Sequence, residues 1–191
     1  EALGGTAAVS QISGDTVTVG GTAVGSFENE NVGTGKAVTV TGVTIGGTDA
    51  GNYNLVQQTG LTANITAASI TISTSDVSRV YNAELNAAGT AVLTSGTLFS
   101  DDSLSGGTFA FTTKDVGDGN KTVTVSAVTV NDGNSGNNYA VTYAANTTST
   151  ITQLDLSVTG STAANRVYDG TTVEALGGTA AVSQISGDTV T

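Results

Sequence analysis

The stretch EALGGTAAVSQISGDTVT at residues 1–18 recurs letter for letter at residues 174–191. The two copies start at residues 1 and 174, so the period is 173 residues, and the identity covers turn and surface positions as well as apolar ones. Fold constraints alone do not preserve every surface residue. The chain therefore contains one full period of a tandem array and the opening of the next, because a long fixed period is the sequence signature of repeat architecture.

A fainter repeat lies inside this period. Phe27–Val56 and Phe111–Val141 share a Phe, a Val-Gly-x-Gly, a Lys, a Val-rich run, a loop of Gly, Asn and Asp, and an Asn-Tyr pair. One extra residue, Asn120, is the only gap between them. In addition, Arg79–Asn82 reads RVYN where Arg166–Asp169 reads RVYD. The period is therefore interpreted as two diverged modules of similar length.

The boundaries follow from these matches. Module A is divided between the two ends of the chain: residues 1–66 hold its body without its first strands, and residues 153–191 hold the first strands of the next module A copy. Module B, at residues 67–152, is complete. A full module A needs the 21 residues 153–173 and the 66 residues 1–66, which is 87 residues against 86 for module B, so two separate estimates of one length agree.

The composition predicts an all-β fold. The chain has 26 glycines and no proline, is rich in Thr and Val, and contains no apolar stripe at helical spacing. Branched side chains suit a pleated surface, and glycine supplies turns. Each module carries short strand-like segments at the spacing of a β-sandwich. In module B the predicted strands are Ser69–Thr74, Arg79–Asn82, Thr90–Thr94, Gly107–Thr113, Lys121–Val130, Tyr139–Ala145 and Thr148–Thr152.

The long strand of each module changes its apolar face partway along. Val38 and Val40 share one parity in module A, but the next apolar residues, Val43 and Ile45, have the other. Module B repeats the change between Val123/Val125 and Val128/Val130. A strand cannot move its apolar face without an extra residue, so the pattern predicts a β-bulge or kink near Gly42 and near Ala127.

The net charge of the chain and the segments between its modules exclude some classes of function. The net charge is −11 with only five basic residues, which argues against nucleic acid and against docking on anionic lipid. No segment is apolar and long enough to insert in a membrane. No Pro-rich or Gly/Ser-rich linker separates the modules, so the joints should be short and stiff, and the array should be an elongated rod.

A family resemblance rests on residues quoted from module A. RVYDGTT at Arg166–Thr172 is followed by Gly-Gly-Thr, Gly-Asp, NVGTGK at Asn31–Lys36 and GNYNL at Gly51–Leu55. This order resembles the YDG module, which is related to the MBG-type Ig-like repeats of large secreted bacterial adhesins similar to filamentous haemagglutinin. Module B departs from it at Asn82–Glu84. The resemblance implies tandem Ig-like β-sandwiches, a secreted, cell-surface location, and no catalytic residues.

Candidate sites for chemistry are few. The chain has no His and no Cys, so the usual general bases and thiol nucleophiles are missing, and we expect neither an enzyme nor a bound cofactor. Oxygen ligands for calcium are available on loops. The best candidates are Asp115, Asp118 and Asp132, although none lies in a complete calcium-loop motif.

Two lysines and four aromatic residues occupy equivalent places in the two modules. Lys36 and Lys121 open the long strands, where a lysine either guards a strand end or forms an isopeptide cross-link to an asparagine. The aromatic residues are predicted to pack in the cores, with an exposed ring row for sugar stacking as the alternative. They are Phe27, Tyr53, Phe111 and Tyr139.

Three functions are consistent with these observations. The first is a structural stalk of a secreted bacterial adhesin or biofilm-matrix fibre, in which neighbouring repeats are the partners and a distal domain binds the target. The first alternative is a multivalent glycan-binding or matrix-binding module. The second is an extracellular filament in which identical chains exchange strands, since each piece of module A lacks what the other has.

Overall fold

The computed structural model describes residues 4–190, and the described chain is built from β-strands, with one 3₁₀ turn at Ala50–Asn52 and no α-helix. The all-β prediction is confirmed. None of the described residues forms a helix that is long and apolar enough to cross a membrane. The strands are β1 (Thr18–Phe27), β2 (Gly33–Gly46), β3 (Leu61–Ile65), β4 (Ala68–Thr74), β5 (Ser78–Val80), β6 (Ala91–Ser95), β7 (Ser103–Phe111), β8 (Gly117–Asn131), β9 (Tyr139–Tyr143), β10 (Asn146–Thr152), β11 (Val158–Thr162) and β12 (Gly177–Val182).

The strands form four small sheets. The order β1-β2-β3 gives an antiparallel sheet in module A, and β11-β12 gives an antiparallel pair near the end of the chain. Module B supplies the other two, with orders β6-β4-β9 and β5-β10-β8-β7. Most of the assigned pairings are antiparallel, whereas β5 runs parallel to β10. Within the described residues, module B therefore supplies strands to two sheets.

The chain divides into two compact units. One unit runs to Ser69 and includes Asn131–Ala140, the loop between β8 and β9 together with the start of β9. The other comprises Ile70–Val130 and continues from Val141. The loop at 131–140, which belongs to module B in sequence, is thus grouped with the body of module A.

The predicted kinks of the long strands are confirmed. Gly42 has φ +85° and Ala127 has φ +54°, both in the left-handed region that an ordinary strand does not use. The register between β1 and β2 also shifts opposite Gly42, where three steps along β1 match two along β2. After the kink, Val128 and Val130 are buried like Val123 and Val125 before it. The extra residue returns the apolar side chains to the same face of the sheet.

The main hydrophobic core lies in module B. Val77, Phe111, Val123 and Ile151 form a fully buried cluster. Ile70 and Ile72 of β4 are buried as well. Complete burial of one such aliphatic or aromatic side chain contributes about 1.5–3 kcal/mol, so this small set carries much of the stability of the repeat. Three further residues, Tyr81, Ala87 and Phe109, pack around the cluster.

Module A has a more open interior. Among the hydrophobic residues at 4–66, only Val40 is fully buried. Its neighbours on the long strand, Val38 and Val43, are half-buried, although Val123 and Val128 of module B are buried at the matching places. The composition of the two modules is similar, so the difference lies in how many strands surround each interior.

Candidate functional site

A carboxylate organises the loop between β8 and β9. Asp132 accepts hydrogen bonds from the backbone N–H groups of Asn134 (2.8 Å), Gly136 (2.7 Å) and Asn138 (2.9 Å). The chain can wrap around one carboxylate because Gly133 takes φ +70°, which glycine adopts at little cost. The loop is therefore a built structure whose three amides are held by one side chain.

The same contacts set the acidity of Asp132. Desolvation acts to raise the pKa of this carboxyl, but the N–H groups of Asn138, Gly136 and Asn134 outweigh it, and the pKa lies below its ordinary value. A depressed pKa means that the ionised form is preferred in the folded state. The stabilisation from Asp132 is consequently present above the unfolded pKa of about 3.9 and is lost as the pH falls through the folded pKa.

We predict that Asp132→Asn lowers the melting temperature at pH 7 and that this difference shrinks as the pH falls through the folded pKa of Asp132. The amide removes the negative charge that the three N–H groups prefer, and protonation of the native carboxyl in acid removes the same charge from the wild-type protein. Thermal unfolding of both proteins from pH 7 to pH 2 measures the effect, with Asp115→Asn as a control on an exposed carboxylate. A gap between wild type and Asp132→Asn that stays constant with pH would contradict this role of the charge.

The loop also joins module B to module A. The Asn138 side chain accepts from the backbone N–H of Val32 at 2.9 Å and donates to Asn31 Oδ1 at 3.2 Å. The Asn138 carbonyl accepts from the N–H of Ala68 at 3.0 Å. We call this set of contacts the Asn138 joint. All of its residues lie in one compact unit.

A second joint connects module B with the next module A copy. Asp188 Oδ1 accepts from the Tyr81 hydroxyl at 2.9 Å and from the Lys114 ammonium at 3.4 Å. Hydrogen bonding with Tyr81, and then with Asp188, raises the pKa of Lys114 above its ordinary value. The turn that presents Asp188 is closed by Gln184, which donates to the Asp188 carbonyl at 2.6 Å. We call these contacts the Asp188 joint.

The identical turn occurs in the first copy with a different partner. Gln11 donates to the Asp15 carbonyl at 2.8 Å, and the Asp15 carboxylate accepts from the Tyr53 hydroxyl at 2.6 Å. This hydrogen bond is the main reason that the pKa of Tyr53 lies above its ordinary value. The turn thus binds a tyrosine of its own module, while the repeated turn binds a tyrosine of module B.

Module A also contains an open cleft, which we call the module A slot. It has a volume of about 440 Å³. Gly4–Val9 and Leu55–Gln58 line the cleft, and Val40, Val43 and Leu61 are also part of the lining. Neither flanking segment is a strand. Val56 is 75% exposed, so the slot presents apolar surface that nothing in the described chain covers.

Comparison with known proteins places the chain in a family. A model of the YDG domain matches residues 1–60 and 66–149. The chain belongs to the YDG domain family. Neither a curated protein nor a solved structure matches it. The YDG assignment therefore rests on the sequence of both modules, including module B, where Asn82–Glu84 departs from the signature.

The three calcium candidates of the YDG chain differ in their contacts and exposure. Asp132 is occupied by three backbone N–H groups, and Asp118 accepts from Thr150 Oγ1 at 3.2 Å. Asp115 is exposed. In residues 4–190 no group of three or more acidic, His or Cys side chains is placed to hold a metal ion. The role seen for Asp132 is to hold the loop that carries the Asn138 joint.

The two matching lysines of the YDG modules have different partners. Lys36 donates to Asn29 Oδ1 at 2.7 Å, and to the carbonyls of Asn29 and Asn31. Lys121 donates to Thr113 Oγ1 at 2.6 Å. Lys36 thus donates to an asparagine side chain and Lys121 to a threonine hydroxyl, and the cross-link stays a prediction for both positions. In both modules the lysine ammonium group donates hydrogen bonds to residues that precede the long strand.

The four aromatic residues differ between the modules. Phe111 and Tyr139 are buried, as predicted for core residues, while Phe27 and Tyr53 are half-buried. None of the four is fully exposed. A row of open rings for sugar stacking would need at least two of them on the surface, so these positions do not supply one.

Proposed function

We propose that the chain is a structural segment of a stalk in a large secreted bacterial surface adhesin or biofilm-matrix fibre. In this function the tandem modules are Ig-like β-sandwiches, they follow one another in an elongated rod, and a distal domain makes the contact with the target. The segment itself performs no catalysis and needs no cofactor. Its partners are the neighbouring repeats of the same chain. Its location is extracellular.

The observation that carries the proposal is that both predicted module boundaries have residue-specific contacts. At the first, Asn138 binds both the backbone and a side chain of module A. At the second, Asp188 is held by Tyr81 and Lys114. A flexible tether would need neither. Because each joint combines several hydrogen bonds, it favours one orientation of consecutive modules over many.

Composition supports the same function. A net charge of −11 with five basic residues keeps a long repetitive protein soluble and disfavours association with nucleic acid or anionic membrane. The chain has no His or Cys, which are the side chains that most often act as catalytic bases and thiol nucleophiles. The family resemblance to adhesin repeats supplies the expected extracellular setting.

We predict that the radius of gyration rises about twofold when a two-period protein is extended to four periods. A compact globule of the same lengths would grow by only about 1.3-fold, since its radius scales as chain length to the power 0.38. Small-angle scattering measures the ratio. Asn138→Ala in every period should lower the ratio by loosening one joint, whereas Asn54→Ala, at an exposed position, should not. Growth near 1.3-fold in the unmodified protein would overturn the stalk function.

A further inference from the structure

The opening and the closing segments of module B lie side by side. In one sheet β4 is the neighbour of β9, and in the other β5 is the neighbour of β10. The strands β5 and β10 are parallel, with Ser78 opposite Thr150 and Val80 opposite Thr152. Both strand pairs therefore join the start of the module in sequence to its end.

The two segments keep one register from the first strand pair to the second. A hydrogen bond joins partners that are 72 residues apart at Ile70 and Thr142, at Thr74 and Asn146, and at Val77 and Ser149. A constant separation means that residue numbers rise together along both segments. The segments at 70–81 and 142–152 are therefore parallel throughout, and we call the contacts between them the closing ladder.

Side chains continue the closing ladder where the chain crosses from one sheet to the other. Asp76 lies in the crossing between β4 and β5, and its Oδ1 accepts from Asn146 Nδ2 at 2.8 Å and from Thr148 Oγ1 at 2.6 Å. Next to it, Ser149 Oγ accepts from the N–H of Val77 at 3.0 Å. Ser149 is 1% exposed, and a buried hydroxyl is costly unless it is hydrogen-bonded. These contacts bridge the interval between the two strand pairs.

We propose that the closing ladder is a mechanical clamp, which keeps module B folded when the chain is pulled along its length. The chain enters the ladder at Ile70 and leaves it at Thr152, so tension pulls the two segments in opposite directions along their common axis. The hydrogen bonds between the segments lie across this direction, and all of them carry the load at the same time. They must therefore break together rather than one after another.

The same ladder resists much less when it is pulled from one end. Handles at Glu84 and Gln153 both lie at the end of the ladder where the Tyr81 N–H donates to the Thr152 carbonyl at 2.9 Å. Force applied there opens this hydrogen bond first and reaches the next one only after it has broken. Because a single hydrogen bond contributes little on its own, the proposal predicts that the strength of module B depends on the direction of pulling.

The load in question is the one that the proposed stalk function supplies, and the biological use of the clamp rests on that function. The resistance itself is a property of module B. It can be measured whether or not consecutive periods extend in a line, which is what the scattering experiment tests. The two proposals can therefore fail separately.

Both pulling directions can be tested on the full 191-residue chain, since it has no Cys and introduced cysteines give defined handles. Ala67→Cys with Gln153→Cys loads the ladder along its length, and Glu84→Cys with Gln153→Cys opens it from one end. All three positions are exposed. Single-molecule spectroscopy at constant force measures the lifetime of the folded module, which is set by its unfolding rate. We expect the first pair to give a lifetime at least about tenfold longer. Equal lifetimes, or a longer one for the second pair, would overturn the clamp.

Asp76 offers a variant within the clamp. Asp76→Ala removes the acceptor of Asn146 and Thr148, and we expect the lifetime under load between residues 67 and 153 to fall at least about threefold. The lifetime between residues 84 and 153 should change less, because there the first hydrogen bond to open is at Tyr81. The matched control Asp115→Ala removes an exposed carboxylate outside the ladder and should leave both lifetimes unchanged. An equal fall in both directions for Asp76→Ala would show that Asp76 supports the fold in general and would contradict its place in a clamp.

Discussion

Replacing Phe111 with alanine is expected to lower the free energy of unfolding of module B by about 3–5 kcal/mol. Phe111 is 2% exposed and packs with Val77, Val123 and Ile151 in the buried cluster. Its ring also lies 4.9 Å from the Arg79 guanidinium carbon. Truncation leaves a cavity in this cluster and removes the ring beneath a cation.

The matched change in module A should be much weaker. Phe27 holds the equivalent place but is half-buried, with the Lys36 ammonium 5.8 Å from its ring centre. We expect Phe27→Ala to lower the free energy of unfolding by at most about 2 kcal/mol, since less apolar area is lost from the interior. Hydrogen exchange followed by mass spectrometry measures the two modules separately. Equal losses of protection in both would contradict the difference in packing.

The contrast between Phe111 and Phe27 marks what the sequence can and cannot predict. All seven strands proposed for module B are present, with their ends displaced by a few residues. Local signals suffice there because alternation, glycine turns and Val-rich runs agree with one another. The largest displacements are at β7, which begins at Ser103 rather than Gly107, and at β8, which begins at Gly117 rather than Lys121. The Val-Gly-x-Gly stretch lies before the predicted start of this strand, but Gly117 pairs with Ile151 of β10.

In module A the same local signals give a different result. Residues 53–58 resemble β9 in sequence but form no strand. Strand formation there depends on a neighbour of the kind that β4 provides to β9, and the flanking segment Gly4–Val9 is also unpaired. Hydrogen bonding between distant segments decides both outcomes. A local pattern cannot reveal it.

Local sequence patterns also did not predict the contacts of the two joints. The sequence singled out Asp132 as a calcium candidate and did not single out Asn138, although Asn138 makes the contacts with Asn31 and Val32. The Asn-Tyr pair recurs in both modules, so the sequence marks the position of Asn138. It does not indicate that the partner of Asn138 is Val32, which lies 106 residues away. Likewise Asp188 belongs to the exact repeat, yet its partners Tyr81 and Lys114 lie in module B.

The kink of the long strand was predicted from the sequence, but the residue at the kink is a glycine in module A and an alanine in module B. Substitutions at these two positions should therefore have different effects on the free energy of unfolding. Gly42 has φ +85°, and a Cβ atom there would lie 2.2 Å from the Thr22 carbonyl oxygen. No side chain can turn away from a backbone atom at that distance. Ala127, at φ +54°, already carries a methyl group at the matching kink.

We therefore predict that Gly42→Ala lowers the free energy of unfolding of module A by about 3 kcal/mol or more, because left-handed strain is added to a backbone clash. The reciprocal change, Ala127→Gly, should raise the free energy of unfolding of module B by up to about 1 kcal/mol. Relief of left-handed strain of about 1–2 kcal/mol exceeds the entropic cost of glycine, about 0.5–1 kcal/mol. Hydrogen exchange in β2 and β8 measures both. If Gly42→Ala is tolerated as well as alanine is at 127, then β1 can move away from the kink, and the close approach of Thr22 is not what requires glycine at position 42.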